Sequence, residues 1–267
     1  VRAQADDFAA LLGPALGGPL DGQATGLPRG VVEYSYYLFR DWGWPAGPGA
    51  SENDEAFAAL RAVAPGPLGR LLVLGAGGCR LAYDLHRRAG AVETAVLDID
   101  PYLFVPAEAV VRGGEVKLTE SSLNVVDPAR VSERWTLRAP DGPVDDARFH
   151  FLLANGLAPP FAGATFDTIV TPWFIDRVPT DLPELLATLR RLLRPGGRWL
   201  NQGPLLYPPE TPLARRYSRD EVVALATAAG FRVERVDAAS RPYLLSPLTG
   251  SGKLELVLTF AAVRTDD

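Results

Sequence analysis

Residues that could bind a nucleoside lie close together between positions 71 and 98. The run LLVLGAGGCR (71–80) is an apolar stretch followed by a glycine turn and a helix-compatible segment. Gly75 and Gly77 permit a tight backbone bend and let a ligand approach the amino terminus of the next helix. Asp98 ends the next apolar run, roughly 20 residues downstream, where a carboxylate can accept hydrogen bonds from a ribose. The spacing therefore predicts a nucleoside site built on two strands.

The glycine turn by itself is compatible with more than one kind of loop. Arg80 occupies the position at which a dinucleotide fingerprint requires a third glycine, and no Gly-Lys-Ser/Thr sequence marks a P-loop. A nicotinamide-dependent dehydrogenase is therefore disfavoured, and a strand-to-helix turn that binds nothing is the simplest alternative. Asp100, two residues after Asp98, is predicted to cap the next helix instead of binding a ligand.

Two further segments end strands at the same predicted edge of the sheet. Asn155 follows the apolar run FHFLL (149–153), where its amide could meet an adenine edge. The segment FDTIVTPWFID (166–176) places Asp176 after the strand that lies beyond the reversal of strand order. Ligands of open α/β sheets bind at that reversal. Asp176 is therefore expected to face a substrate, and the alternative is that it caps a helix.

Alternating strand and helix patterns from residue 69 onward would position these groups. They predict a Rossmann-like α/β fold with a doubly wound, mostly parallel sheet of seven strands. The last two strands have no helix between them, so the final strand is expected to be antiparallel. The predicted strands are 70–74, 94–97, 149–153, 168–171, 199–201, 231–236 and 254–263. The predicted helices are 80–89, 101–112, 181–193 and 218–229, and Ser218 and Glu221 form a capping box at the start of the last.

The amino-terminal quarter has a different pattern. Residues 1–66 are interpreted as helices that lead into and cover the ligand site, with helix-compatible runs at 31–42 and 51–64. Ser51 is predicted to be the N-cap of the second run. Residues 67–267 are expected to form the ligand-binding domain, interrupted by a polar insertion at about 113–148.

Composition restricts the function further. The formal net charge of -5 and the isoelectric point near 5.2 argue against nucleic acid as a partner. Cys79 is the single cysteine and His86 and His150 are the only histidines, so neither a disulfide nor a metal is expected. The sequence contains neither an apolar run long enough to cross a bilayer nor an amino-terminal signal peptide. These features favour a cytoplasmic protein, without a membrane partner, that acts on small molecules.

Four short motifs carry a resemblance to a known family. They are RDW (40–42), GAGGCRLA (75–82), WFID (173–176) and WLNQGPLLY (199–207). In this order they resemble the carnosine N-methyltransferase family, within the class I S-adenosylmethionine-dependent methyltransferases. The segments KLTESSLN (117–124) and SRDEVVALATAAGF (218–231) extend the similarity, which runs from about Tyr34 to the carboxyl terminus. The resemblance implies S-adenosyl-L-methionine as the cofactor.

The resemblance also implies roles for individual residues. Arg40 of RDW would bind the methionine carboxylate of the cofactor, a task that suits a planar guanidinium. Asp176 and Tyr243 would face the methyl acceptor, and the Asp176 carboxylate could orient an N–H group or receive a proton. The expected cofactor-binding residues are Arg40, Gly75, Gly77, Asp98, Asn155, Gly156 and Pro172.

Several positions depart from the family pattern. Tyr37 replaces a cofactor-contacting glutamine, Asn155 replaces an acid, and Pro208 replaces the pocket histidine that follows GPLLY. Tyrosines that the family carries before the last strand are replaced around Lys253 and Leu254. The expected reaction is methyl transfer, at nitrogen, to a small molecule or peptide other than carnosine. An O-methyltransferase and a non-catalytic, cofactor-binding regulatory protein are the alternatives.

Overall fold

A twisted sheet forms the centre of the chain. The computed structural model describes residues 2–15, 35–122, 126–145 and 147–266. The strands in these ranges are β1 (Gly69–Leu74), β2 (Ala91–Asp98), β3 (Val116–Ser121), β4 (Ser132–Leu137), β5 (Phe149–Leu153), β6 (Phe166–Pro172), β7 (Leu193–Gly203), β8 (Phe231–Tyr243) and β9 (Lys253–Arg264).

Seven of these strands form one sheet in the order β5-β2-β1-β6-β7-β9-β8. The first five run parallel, whereas β9 lies antiparallel to both β7 and β8. The order reverses at β1, which lies between β2 and β6, so the carboxyl ends of these strands border the crevice where such sheets bind ligands. The predicted doubly wound sheet with an antiparallel last strand is confirmed.

Helices cover both faces of the sheet. They are α1 (Arg2–Ala15), α2 (Pro48–Val63), α3 (Arg80–Arg88), α4 (Pro101–Val111), α5 (Leu182–Leu192) and α6 (Arg219–Ala228). Side chains from α1 to α4 pack with one face of the sheet, and those from α5 and α6 pack with the other. In α5 the buried leucines at 182, 185, 186 and 189 have the spacing of a single helical stripe, which explains why this helix lies flat on the sheet. In the described ranges, no helix is long and apolar enough to span a bilayer.

The start of α2 differs from its prediction. The helix begins at Pro48 after Gly47, so Ser51 is not the N-cap. The Ser51 amide instead donates to the Gly47 carbonyl at 2.9 Å, within the first turn. Proline fits the first turn because the amides there have no partner inside the helix.

The segment before α2 contains the RDW motif and changes helix type. Residues 35–38 are α-helical and continue into a π-helical turn at Phe39–Gly43. Residues 31–34 of the predicted helix lie outside the described residues. Single π-helical turns occur frequently at functional sites, because they turn side chains out of the ordinary helical register.

The insertion contains a β-hairpin that the sequence did not indicate. Strands β3 and β4 pair antiparallel, with Glu120 opposite Glu133. Glu120 is fully buried and accepts hydrogen bonds from the indoles of Trp44 at 2.9 Å and Trp135 at 2.6 Å, and from the Ser246 hydroxyl at 2.5 Å. One carboxylate thus joins the hairpin to the segment after the RDW motif and to the loop after β8.

Candidate active site

The glycine turn after β1 is held against the end of β2. The amides of Gly75 and Ala76 both donate to the Leu97 carbonyl, at 2.9 and 3.0 Å. Gly75 and Gly77 have φ values of +70° and +54°, a region that side chains rarely adopt. The Gly77 amide donates to the Asp98 carboxylate at 2.7 Å. The predicted glycine turn and the predicted acid at the end of β2 therefore meet directly.

Asp100 differs from Asp98, because its side chain caps the next helix. Its carboxylate accepts from the Tyr102 amide at 2.8 Å, which makes Asp100 the N-cap of α4, as predicted. The other oxygen of Asp98 accepts from the Asp100 amide at 2.9 Å. The Asp98 carboxylate is thereby fixed at the carboxyl edge of the sheet.

Phe174 packs against two of the predicted cofactor-binding glycines. A Cβ atom on Gly75 would lie 2.5 Å from the Phe174 ring, and one on Gly156 would lie 3.1 Å from it. Packing and the positive φ therefore require glycine at position 75, whereas a larger residue at 156 would press on the Phe174 ring. A Cβ atom on Gly77 would meet nothing closer than Leu103 at 3.9 Å, so the backbone at Gly77 remains approachable.

Asn155 and Pro172 lie at the ends of β5 and β6. Asn155 is exposed, and its side-chain oxygen accepts from the Leu157 amide at 2.9 Å. Pro172 is the last residue of β6 and pairs with Gln202 of β7. Both positions lie at the carboxyl edge of the sheet, where the sequence placed them.

Arg40 lies in a cluster of ion pairs next to the glycine turn. Its Nε donates to Asp41 and its Nη1 donates to Glu52, each at 2.7 Å. Burial opposes the charge of Arg40, but these two carboxylates outweigh that effect and hold the pKa of the guanidinium well above its ordinary value. Asp41 lies against Gly78, because a Cβ atom added to Gly78 would lie 2.2 Å from the Asp41 carboxylate. The Trp42 indole donates to the Gly78 carbonyl at 2.7 Å, so the RDW motif is docked on the turn.

Asp176 follows β6 and is almost completely buried. The residue is 2% exposed, and one carboxylate oxygen accepts from the Leu206 amide at 3.0 Å. The other oxygen is buried and has no hydrogen-bond partner among the described residues. Burial disfavours the charged form and raises the pKa of Asp176 from 3.8 to about 6. A cleft of about 180 Å³ lies alongside, bordered by Ile175 and Tyr207.

Tyr243 ends β8 in the middle of an aromatic group. Its ring stacks on Trp173 at 5.4 Å and meets Tyr37 edge-on at 6.2 Å, while the Arg40 guanidinium lies 5.9 Å from its centroid. Burial, followed by the neighbouring Tyr37, raises the pKa of Tyr243 well above its ordinary value. The hydroxyl therefore stays protonated, and Tyr243 can shape a pocket or donate a hydrogen bond but cannot act as a base near neutral pH.

Trp173 has a strained backbone at the end of β6. Its φ of +45° is unusual for a bulky residue, and such strain clusters at functional sites. The indole donates to Glu255 of β9 at 3.0 Å. A Cβ atom on Gly203 would lie 2.9 Å from the Trp173 Cα atom, so the neighbouring strand makes room for this conformation.

The chain is similar to known methyltransferases in part of its sequence and in its fold. The carnosine N-methyltransferase family matches residues 148–248. A carnosine N-methyltransferase of Dictyostelium discoideum is 49% identical over 43 residues, 16% of this chain and 9% of that protein. A ubiquinone/menaquinone biosynthesis C-methyltransferase of Dinoroseobacter shibae is 29% identical over 136 residues, 51% of this chain and 42% of that protein. The crystal structure of an S-adenosylmethionine-dependent methyltransferase from Mesorhizobium loti has a TM-score of 0.51 at 18% identity, and the match covers 79% of this chain and 100% of that one.

The chain has the fold of S-adenosylmethionine-dependent methyltransferases, and residues 148–248 are similar to the carnosine N-methyltransferase family. The resemblance stated from the sequence motifs is confirmed, and the matched family segment contains both Asp176 and Tyr243. Family and fold imply S-adenosylmethionine as the cofactor. The chain spans less than half the length of the curated relatives that it matches.

The residues at the glycine turn fit this cofactor. The turn leaves open space at Gly77 and carries the Asp98 carboxylate beside it. The Asp41 carboxylate lies against Gly78 and is paired with the Arg40 guanidinium, so both signs of charge lie near the turn, which suits a group that is itself a zwitterion. Within the described part of the chain, no group of three or more metal-ligating side chains occurs.

Sequence reasoning missed three contributors to the site. Glu52 lies on α2 and holds Arg40, and its other oxygen accepts from the Leu244 amide at 2.8 Å. Asp41 was noted only as part of the motif, and Glu255 was not singled out. The acidic start of α2 and the replacement of tyrosines near β9 were the available indications, but neither shows where the side chains meet.

The remaining reactive side chains make structural contacts. Cys79 is buried under the glycine turn, and burial raises the pKa of its thiol well above the ordinary value, so it packs and does not attack. The His86 ring lies 2.9 Å from the Thr94 hydroxyl. His150 contacts Glu93 at 3.1 Å on β2.

Proposed function

We propose that the methyltransferase transfers a methyl group to a nitrogen atom of a small molecule or peptide. The observation that carries the proposal is the Asp176 carboxylate, which is nearly buried, has one unpaired oxygen and has its pKa raised to about 6. Such a group can orient an acceptor N–H and accept its proton near neutral pH. The match to the carnosine N-methyltransferase family over the segment that contains Asp176 supports nitrogen as the target. Carnosine is not the proposed acceptor, because Pro208 stands where the family has a histidine.

The cofactor supplies a methyl group on a positively charged sulfur that is already activated for transfer. Asp98 would bind the ribose, since a carboxylate oxygen that accepts one amide hydrogen still has lone pairs for hydroxyl groups. Gly75 and Gly77 would bring the backbone close to the nucleoside. The other proposed contacts on this side are Asn155, Gly156 and Pro172.

Arg40 and Asp41 would bind the amino-acid end of the cofactor. Two of the Arg40 nitrogens donate to Asp41 and Glu52, and its remaining N–H groups would donate to the methionine carboxylate. Asp41, beside Gly78, would accept from the cofactor ammonium. Arg40 and Asp41 would thus bind both charged groups of the methionine part of the cofactor and thereby orient its methyl group.

The amino-terminal part of the chain, residues 1–66, would cover the site. Support comes from two contacts across its boundary: Trp42 donates to Gly78, and Arg80 donates to the Asp41 carbonyl at 2.7 Å. A cover that excludes water holds the acceptor in line with the sulfur. Alignment of this kind removes a large part of the barrier without covalent chemistry.

The test is methyl transfer from S-adenosylmethionine to a panel of imidazoles, amines and phenols, with the wild-type methyltransferase and Asp176→Asn. We expect transfer to a nitrogen compound and a fall in kcat of about 10²- to 10⁴-fold in the variant, the usual contribution of a positioned acid or base. S-adenosylhomocysteine affinity should not change, because Asp176 is assigned to the acceptor. Asp220→Asn, whose side chain is 81% exposed, is the matched control.

Three other outcomes would contradict parts of this proposal. Methyl transfer to phenols alone would show that the acceptor atom is oxygen, and the protein would then be an O-methyltransferase. Cofactor binding without transfer to any compound would favour the regulatory protein. An Asp176→Asn variant with wild-type kcat would remove Asp176 from the mechanism.

A further inference from the structure

We propose that a cavity at the amino-terminal edge of the sheet binds a small aromatic carboxylate, at a site separate from the crevice of the cofactor. The cavity has a volume of about 240 Å³. Its charged side chains lie near the amino ends of β1, β2 and β5, whereas Asp98 ends β2 at the carboxyl edge. Glu93 and Asp98 are five residues apart on β2, which corresponds to about 16 Å of extended strand. The inference concerns a second site and does not depend on the proposed reaction.

The cavity lies where one connection of the sheet lacks a helix. Residues 154–165 join β5 to β6, and this described segment contains no helix. A crossover between parallel strands usually contains a helix that covers one face of the sheet. Among the described residues, α5 and α6 are the helices that pack with this face, and Leu152 of β5 is only partly buried there. The face of β2 and β5 next to the connection therefore stays partly open.

Apolar and aromatic side chains form the less exposed part of the wall. They are Ala95, Leu152, Phe161 and Phe166. The rings of Phe161 and Phe166 meet edge to face, with their centroids 4.9 Å apart. A ligand ring can extend this arrangement, because aromatic groups prefer edge-to-face or offset contacts. An apolar cavity of about 150 Å³ already holds benzene, so the larger volume here has room for a bicyclic ring.

Three polar side chains lie in a row across adjacent strands at the mouth of the cavity. One oxygen of Glu93 accepts from the Arg70 Nε at 3.1 Å, and the other lies 3.1 Å from the His150 Nε2. Both oxygens of Glu93 are therefore occupied. Asp167, which accepts from the Arg70 amide, is balanced by Arg194 at 2.6 Å. The two terminal nitrogens of Arg70 have no hydrogen-bond partner among the described residues, and the side chain is 52% exposed, so these N–H groups are available to a ligand.

The charges around the mouth favour an anion. Arg191 donates to the Phe161 carbonyl at 2.8 Å and forms no ion pair in the part of the chain that the structure describes. Arg70 and Arg191 thus contribute two positive charges, against the one negative charge of Glu93. A guanidinium can bind a carboxylate through two parallel hydrogen bonds, and Arg70 would use its two terminal nitrogens for this contact. The expected ligand therefore combines an aromatic ring with a carboxylate.

The experiment compares two probes of equal size and different charge. Indole-3-carboxylate and indole-3-carboxamide are titrated into the protein by calorimetry, with and without saturating S-adenosylhomocysteine. We expect the carboxylate to bind about 10- to 100-fold more tightly than the carboxamide, the gain typical of hydrogen bonds to a charged group. Arg70→Gln should lower the affinity for the carboxylate to that for the carboxamide, because the variant lacks the guanidinium.

Three variants locate the bound probe. Arg70→Gln changes an exposed side chain and keeps the backbone hydrogen bond to Asp167, so its unfolding midpoint should match the wild type. Arg219→Gln is the matched control, because Arg219 is similarly exposed, at 58%, pairs with the neighbouring Asp220 and does not line the cavity. The affinity for the carboxylate should not change in that control. Ala95→Leu should fill the cavity and abolish the binding of both probes, while S-adenosylhomocysteine still binds.

The outcomes concern this second site and not methyl transfer. Equal affinities for the two probes, or no binding of either probe at millimolar concentration, would overturn the inference. An unchanged affinity for the carboxylate in Arg70→Gln or in Ala95→Leu would also overturn it. A carboxylate that S-adenosylhomocysteine displaces would lie in the cofactor crevice, which contradicts a separate site. Binding that requires Arg70 and persists with S-adenosylhomocysteine supports the inference, whether or not any acceptor is methylated.

Discussion

The carboxylate of Asp176 is almost buried, and burial raises its pKa from 3.8 to about 6. A raised pKa means that the folded protein holds this proton more tightly than the unfolded chain does. Stability is therefore lost as pH rises from about 4 through 6, and the full penalty of roughly 3 kcal/mol is present above pH 7. The folded protein thus keeps the unfavourable negative charge of Asp176 at the position where the methyl acceptor would bind.

Asp176→Asn should remove this pH dependence. About 1.4 kcal/mol of the penalty develops between pH 5 and pH 8, so the free energy of unfolding of the variant should improve by that amount relative to wild type over this range. Urea unfolding at both pH values measures the difference. Asp220→Asn should follow the wild type, because Asp220 is exposed. Parallel pH profiles for wild type and Asp176→Asn would contradict the raised pKa.

The residues that sequence reasoning could place are those that end strands. Asp98 and Asp176 follow apolar runs of recognisable length, so their position at the carboxyl edge of the sheet was predictable, although their roles stay predictions. Glu52 belongs to α2, and Glu255 belongs to β9. The two residues are about 200 positions apart in the chain. Nothing local to either sequence shows that both approach Tyr243. Their place follows only from the antiparallel entry of β9 and the packing of α2.

Among the elements, helices were easier to predict than the hairpin of the insertion. The apolar stripe of α5 and the capping box of α6 are local features, and both are present in the structure. The strands β3 and β4 are short and rich in charged residues, so their alternation is weak. They gain their buried face from distant elements, for example where the Thr119 amide donates to Asp7 of α1 at 2.9 Å. A prediction from local pattern could not include that contribution.

Glu120 is expected to hold the hairpin in place. Glu120→Ala would leave the indoles of Trp44 and Trp135 and the Ser246 hydroxyl without their acceptor. Buried donors without partners should cost about 2–4 kcal/mol in the free energy of unfolding, measured by urea denaturation. Glu133→Ala, directly opposite on β4 and exposed, should stay within about 0.5 kcal/mol of wild type. A loss in Glu120→Ala as small as the one expected for Glu133→Ala would show that the three bonds contribute little.

At the scale of the whole molecule, the sheet and its crevice follow from the order of the elements. Right-handed crossovers place α3 and α4 on one face and α5 on the other, which produces the reversal at β1. The amino-terminal helices then add to the first face, where α1 and α2 pack with the same core as α3. A ligand in the crevice would therefore contact elements from both the early and the late parts of the chain, and its binding should stabilise the fold as a unit.

S-adenosylhomocysteine should raise the thermal midpoint of the whole protein. A ligand at 100 times its Kd stabilises the folded state by about 2.7 kcal/mol, which corresponds to roughly 5–10 °C for a protein of this size. NAD should produce no shift, because Arg80 occupies the third position of the dinucleotide fingerprint. Asp98→Ala should remove most of the shift, since the carboxylate beside Gly77 is assigned to the ribose. Asp220→Ala, at an exposed position, should retain it, whereas a full shift in Asp98→Ala would move the nucleoside away from the end of β2.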